Sequence, residues 1–315
     1  MWNFFLLILI YSGIYAMMAI GQNTITGSTG MLSLCHAGFF CLGSYTTAIM
    51  CKTFGLSFWL SLPVAALVAG IVGFLIGVPT LRLKGDYLCI ATLGLGEIIR
   101  NIATNLNPVG YQGIPRASIF SYEFASRNKW AFIVLIWAFV LVFYILFQQL
   151  SHSRLGRAMA AIREDEVAAQ SNGINVTKYK IGAFILGAAI GGVAGCFMTA
   201  YTLTVNPSSF TFMVSVMVLC MVVLGGMGNY KAVILGAIII QFISYFPQLF
   251  SLTNIIPAQA KQIIFGLILV IMMIARPQGL LGRDKYRYGD PRSMKEKLIS
   301  YVKKIKLPSR KGEKA

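Results

Sequence analysis

Ser57-Phe-Trp-Leu-Ser-Leu-Pro-Val-Ala-Ala-Leu-Val-Ala-Gly-Ile-Val-Gly-Phe-Leu-Ile-Gly-Val-Pro79 runs without a single charged side chain. A helix rises 1.5 Å per residue and the hydrocarbon core of a bilayer is about 30 Å thick, so about 20 apolar residues cross it. This stretch is long enough. Comparable segments lie at 2–20, 31–51, 87–104, 130–149, 181–203, 212–228, 232–252 and 262–275. They predict an all-α integral membrane protein, a polytopic bundle of about 8–10 spans. The composition agrees: 57% of the 315 residues are hydrophobic and 12% charged, against about 25% charged in soluble domains. Such a chain cannot cover a water-facing surface, so its outer face must meet lipid.

The net charge of +17 does not point to nucleic acid, because of where it sits. Residues 276–315 hold thirteen of the 27 Lys and Arg and four of the ten acids. That stretch reads as a basic cytoplasmic C-terminal tail held near anionic lipid, at about 1 kcal/mol per basic residue. Residues 1–275 form the transmembrane domain, with one long cytoplasmic insertion at 150–180. Arg154, Arg157, Arg163, Lys178 and Lys180 put that insertion inside by the positive-inside rule, with Arg82 and Lys84 on the same side. The 105–129 loop falls outside even though it carries Arg116, Arg127 and Lys129. Counting every apolar segment as a crossing leaves the N-terminus outside; a re-entrant turn plus a crossing within 22–51 would put it inside. The N-terminal run lacks a basic start and fits a span better than a cleavable signal. The six cysteines, at 35, 41, 51, 89, 196 and 220, lie scattered in apolar segments as small buried residues. With two histidines, His36 and His152, no metal site and no cofactor is expected.

Two stretches interrupt the apolar pattern. Gly21-Gln-Asn-Thr-Ile-Thr-Gly-Ser-Thr-Gly30 is polar and glycine-rich, and Leu224-Gly-Gly-Met-Gly-Asn-Tyr-Lys231 breaks the C-terminal half. Non-helical backbone at membrane depth is tolerated where it lines a cavity, and paired interruptions mark transport paths; the alternative for both is a loop at the membrane surface. Gly187, Gly191 and Gly195 recur every four residues, and Gly70, Gly73 and Gly77 nearly so. Both sets read as close-packing seams between helices.

Ser153-Arg-Leu-Gly-Arg-Ala-Met-Ala-Ala-Ile-Arg-Glu-Asp-Glu-Val-Ala-Ala-Gln-Ser-Asn-Gly173 predicts a short cytoplasmic helix, capped by Ser153 and stopped by Gly173. Leu155, Ala158, Met159, Ile162 and Ala169 make its apolar stripe. Glu164, Asp165 and Glu166 fan around it, so at least one projects away from the membrane. Such a helix suits the docking of a partner protein.

The run from Gly156 through Ile174-Asn175 resembles the cytoplasmic coupling segment of bacterial branched-chain amino acid ABC permeases of the LivM-like branch. The resemblance extends over residues 20–282. It includes Leu32-Ser-Leu-Cys-His-Ala-Gly-Phe-Phe40, Leu81-Arg-Leu-Lys-Gly-Asp-Tyr87, Ala91-Thr-Leu-Gly-Leu-Gly-Glu-Ile-Ile-Arg100, Leu224-Gly-Gly-Met-Gly228 and Arg276-Pro-Gln-Gly-Leu-Leu-Gly282. It implies an importer in the cytoplasmic (inner) membrane of a bacterium, built from paired permeases, two cytoplasmic ATP-binding subunits and an extracytoplasmic substrate-binding protein. It also implies that Gly156, Arg157, Ala160, Arg163, Glu164, Asp165, Glu166, Ala168, Ala169 and Gly173 couple the permease to an ATPase cleft. Val167 stands where many importers have Glu. Val109-Gly-Tyr-Gln-Gly-Ile114 and Lys231-Ala-Val233 depart from the family pattern, which bears on the substrate.

Candidates for the translocation path are Gly30, Ser33 and His36 at the first interruption, Gly94, Glu97 and Arg100 in the 87–104 span, and Gly225 and Gly226 at the second. Glu97 and Arg100 stand three apart, on one helical face. They could meet the two charges of an amino acid or simply neutralise each other; His36 could line the path or pack in the core. No Gly-x-x-x-x-Gly-Lys phosphate loop occurs, so the chain is expected to be no enzyme and to take its energy from separate ATPases. The expected function is a permease subunit for branched-chain amino acids. Alternatives are a permease for urea or small amides, an ion-coupled secondary transporter and a non-transporting membrane subunit.

Overall fold

The computed structural model describes residues 2–80, 83, 85–114, 118–119, 122–123, 129–249, 266–267, 270 and 279–280. Ten α-helices run in order among them: α1 (Trp2–Gln22), α2 (His36–Lys52), α3 (Phe58–Thr80), α4 (Asp86–Leu106), α5 (Lys129–His152), α6 (Arg154–Glu164), α7 (Glu166–Ser171), α8 (Val176–Thr202), α9 (Phe212–Gly225) and α10 (Tyr230–Leu249). Two-residue strands pair antiparallel, β1 (Tyr111–Gln112) with β4 (Thr204–Val205) and β2 (Ser118–Ile119) with β3 (Tyr122–Glu123). Five stretches are long and apolar enough to cross a bilayer: Phe4–Gly27, Phe58–Thr80, Lys129–His152, Val176–Thr202 and Pro207–Gly225. The fold is an all-α polytopic membrane bundle. A helix stands at each of the other expected spans, and of 262–275 only 266–267 and 270 are described, all three helical. Arg82, Lys84, Arg116, Arg127 and most of the tail lie outside the described residues.

The outer faces of α3 and α5 expose Leu67, Leu75, Val134 and Leu141, which lipid rather than water must cover. Inside, Phe197 of α8 takes ring contacts from Phe58, Phe132 and Phe139. Helix α8 is the hub, reached by its neighbours through glycines. A Cβ on Gly187 would stand 2.7 Å from Ile25 Cγ1, one on Gly192 2.8 Å from the Ala65 carbonyl oxygen, and one on Gly73 2.6 Å from Ala188 Cβ. The second predicted seam is tight only at Gly73. Gly70 and Gly77 have room for a methyl group, with nearest atoms at 3.6 and 3.5 Å.

Helix α5 fixes the polarity of the bundle. It begins beside the start of α1, where Trp130 and Trp2 have centroids 6.0 Å apart, and leads after His152 into α6. Its 24 residues span about 36 Å. The β1–β4 pair closes the loop before α5 against the exit of α8, so it marks one end of the bundle and α6 the other.

Three expectations are revised. The polar stretch 21–30 stays helical almost throughout: Asn23–Gly27 form a π-helical turn. Thr24 and Thr29 hydroxyls donate to the carbonyls of Ile20 and Ile25, and Gln22 Nε2 donates to Thr26 Oγ1 at 3.0 Å, so these donors find acceptors on the helix itself. The chain becomes non-helical at 30–35 instead. The segment 153–173 is two helices rather than one. Asp165 is extended (φ −152°, ψ 115°) and its Oδ1 accepts the N–H groups of Val167 and Ala168 at 2.8 and 3.0 Å, starting α7 anew. Ser153 does cap α6, accepting from Gly156 N–H, and Gly173 comes after α7 in the left-handed region (φ +77°). Of the predicted apolar stripe, Ala158, Met159, Ile162 and Ala169 are buried, while Leu155 is exposed.

Candidate functional site

Helices α2 and α9 have 17 and 14 residues, about 26 and 21 Å, short of a bilayer core, α9 reaching crossing length only together with the 3-10 turn Pro207–Ser209 before it. Their first turns meet: Ala37 N–H donates to Ser215 Oγ at 2.9 Å. From there they run to opposite ends. Helix α2 reaches the strand end, where Lys52 Nζ donates to the Gln112 carbonyl at 2.7 Å. Helix α9 reaches the α6 end, where Arg163 donates to the Met227 carbonyl at 3.3 Å. Two helix N-termini therefore abut within the bundle, each carrying about half a positive charge.

Glu97 of α4 faces this junction. Its Oε1 accepts the N–H of Phe212, the first residue of α9, at 3.3 Å, and its Oε2 accepts Arg100 Nε at 2.7 Å. The carboxylate thus caps a helix and closes an ion pair at once. Both side chains keep about a third of their surface, 28% for Glu97 and 30% for Arg100. A Cβ on Gly94 would meet nothing within 4 Å, and Asn101 is exposed. Gly94, Glu97 and Arg100 accordingly share a partly open polar face. Ser33 and His36 do not join it. Both are buried, His36 with its ring edge-on to Phe39 and Gly21 against its Nε2.

At the other end stand Gly30, Gly225 and Gly226. Gly30 (φ +77°) lies against α6, where an added Cβ would be 3.1 Å from Arg163 Cγ. Gly226 (φ +128°) ends α9, and the Asn229 carboxamide caps α10 by accepting from Lys231 and Ala232. Arg163 Nη1 donates to the carbonyls of both Gly27 and Met227. Asn23 Oδ1 accepts Gly228 N–H at 2.8 Å, tying the two interruptions directly.

The segment 153–173 divides its residues between inner and outer duties. Gly156 is buried where a Cβ would collide with the last carbonyls of α5, and Ala169 is buried beneath α7. Glu166 pairs with Lys180 at 2.8 Å; Lys180 is 7% exposed, so the pair pins α7 to α8. Arg157, Glu164, Ala168 and Gly173 are exposed, and Ala160 is half-buried. Leu155 and Val167 also expose 48% and 66% of their surface, apolar side chains on a helix pair whose buried face packs on the bundle.

The model of the family described as branched-chain amino acid transport system / permease component matches residues 4–273. The chain belongs to this family. Among its relatives, a high-affinity branched-chain amino acid transport system permease protein LivM of Salmonella typhimurium is 39% identical over 295 residues, covering 85% of this chain and 68% of that protein. A probable LivM of Methanocaldococcus jannaschii is 29% identical over 69% of this chain and 67% of its own. The permease BraD of Pseudomonas aeruginosa is 27% identical over 86% of this chain and 92% of its own. No solved structure matches the chain.

In this permease, sequence reasoning missed the Ser215 and Phe212 contacts, whose partners lie 178 and 115 residues away. It also took Val167 only as a departure from the acidic residue common at that place, and not as exposed apolar surface.

Proposed function

We propose that this permease is a membrane-spanning subunit of an importer for branched-chain amino acids, driven by two separate ATP-binding subunits, one of them docked on α6 and α7. A second permease subunit and an extracytoplasmic binding protein complete it. The observation that carries this reading is the α6–α7 pair. Its inner side is fastened to the bundle through Arg163 and Lys180, while Leu155, Arg157, Glu164 and Val167 are exposed. Exposed apolar side chains together with charged ones are the ordinary composition of a protein contact. With that pair in the cytosol, the starts of α1 and α5 lie on the external face, and the tail from residue 276 on the internal one.

The half-open face of Gly94, Glu97 and Arg100, next to the abutting starts of α2 and α9, supports a path along α4. Broken helices whose ends meet near mid-bundle are the usual frame of such paths. An ion-coupled mechanism is less well supported, because Glu97 is already bonded to Arg100 and Phe212. Reconstitution in vesicles with the ATPase subunits and the binding protein tests the reading. ATP-dependent uptake of labelled leucine, isoleucine and valine is expected. Uptake of urea or short amides in preference would reassign the substrate, and uptake without nucleotide would refute the mechanism.

A further inference from the structure

We infer that Arg163 is a positioning residue that carries movement of α6 into both membrane interruptions, rather than a contact to the ATPase. It takes this role only if α6 is driven by an ATPase, as proposed above. The side chain leaves the last turn of α6 and points back into the bundle. There, Nη1 reaches the Gly27 carbonyl, at the end of the π turn that extends α1, and the Met227 carbonyl, two residues past the end of α9.

Carbonyls at a helix end lack the next turn's N–H groups, and each helix places about half a negative charge there. The Gly27 carbonyl lies in the last turn of one helix and the Met227 carbonyl in the turn just past another, and both meet one guanidinium. The slot that admits it is built from glycine. A Cβ on Gly228 would stand 2.7 Å from Nη1, and one on Gly30 3.1 Å from Cγ. Both residues have positive φ, +94° and +77°, which side-chain-bearing residues adopt poorly. The Asn23–Gly228 hydrogen bond holds the two interruptions together around the guanidinium.

The elements joined to each interruption give the contact its reach. The first interruption leads through residues 30–35 into the start of α2. The second ends α9, whose other end is capped by Glu97. The starts of α2 and α9 touch at Ala37 and Ser215. A displacement of α6 therefore acts on both short helices from the side of the bundle opposite Glu97. A lysine could supply the charge, but its ammonium sits one atom closer to the backbone than Nη1, which reaches both carbonyls from the longer side chain.

The test uses the permease assembled with its ATPase subunits and binding protein in vesicles, reading co-purification, ATP hydrolysis and leucine uptake on one preparation. For Arg163→Gln, assembly and hydrolysis close to the unsubstituted complex are expected, with uptake per ATP lowered about tenfold, inside the usual range of coupling effects. Arg163→Lys should fall between the two. Loss of ATPase co-purification, a proportional fall of uptake and hydrolysis, or full uptake in Arg163→Gln would each overturn the assignment. Should Arg163→Gln not be recovered folded, Arg163→Lys decides: undiminished uptake per ATP overturns the assignment, and a lowered ratio at unchanged hydrolysis supports it. An unsubstituted complex without ATP-dependent uptake would instead defeat the transport reading itself, and this inference with it.

Discussion

Replacing Gly43 with alanine should damage the bundle far more than the same change at Gly70, although both are helical glycines in spans. A Cβ on Gly43 would lie 2.6 Å from Gly192 Cα, where carbon atoms normally rest at about 3.5–4.0 Å. The obstacle is backbone, so no side chain can turn aside, and α2 must part from α8 by about 1 Å to restore ordinary contact. Parting stretches the bonds from Ser44 Oγ to the Gly195 carbonyl (3.1 Å) and from Thr199 Oγ1 to the Ser44 carbonyl (3.3 Å). Overpacking costs about 1–3 kcal/mol, and each weakened buried hydrogen bond about 1 kcal/mol. The sum is about 3 kcal/mol or more, well above the roughly 1 kcal/mol centre for point substitutions. At Gly70 the nearest atom to the new methyl is Ile185 Cγ2 at 3.6 Å, and alanine is the better helix former by about 1 kcal/mol. Thermal unfolding in detergent, monitored by size-exclusion fluorescence, should place Gly43→Ala about 5–10 °C below the parent and Gly70→Ala level with it or above. Equal melting temperatures for the two variants would refute the claim that backbone contact at the α2–α8 seam limits stability.

Three further outcomes are expected. Glu97→Gln should lower stability by about 1 kcal/mol, the discounted worth of a partly exposed ion pair plus a weakened helix cap. A double-mutant cycle with Arg100→Gln should give a non-additive term, and thermal melts read both. Glu166→Gln should cost more than Lys180→Met, about 2 kcal/mol, because it leaves the buried ammonium of Lys180 without its charge partner while the reverse change leaves only a half-open carboxylate; denaturation midpoints give the order. Val167→Asp should leave stability within about 0.5 kcal/mol, as for other exposed positions. It should nonetheless abolish ATPase co-purification, measured by affinity pull-down from membranes.

The spans were legible because lipid imposes a length and an apolarity that few other structures satisfy. Ser153, Gly173 and the i, i+3 pairing of Glu97 with Arg100 were legible for a related reason: each concerns neighbours along one helix. What escaped was set by contacts across the fold. Arg163 reads as one more basic residue of the cytoplasmic coupling helix, and its acceptors, Gly27 and Met227, are 136 and 64 residues away. The polar run 21–30 reads as a break in the helix, whether lining a cavity or looping at the surface, yet hydroxyl-to-carbonyl bonds let it continue as helix. Conversely Gly30-Met-Leu-Ser-Leu-Cys35 looks apolar enough for a span and is not helical. Its Leu34 N–H donates to Thr92 Oγ1 at 3.0 Å and its Ser33 carbonyl accepts from Gln22 Nε2 at 2.7 Å, partners supplied by other elements.

Three successive carboxylates, Glu164, Asp165 and Glu166, show how much of a charge run can be structural. Asp165 spends its acceptor on two α7 N–H groups, and Glu166 spends its charge on a buried lysine. Glu164 alone of the three is exposed without a structural duty of that kind in the described bonds. Stripping all three at once would remove a helix cap worth about 1 kcal/mol, the tether of α7 to α8 and the outward charge together. A loss of ATPase binding in that variant could not be assigned to surface charge. Glu164→Gln separates the terms: a docking surface that depends on charge weakens with α7 intact, whereas one that depends on Leu155 and Val167 does not, because apolar burial is indifferent to the sign of its rim.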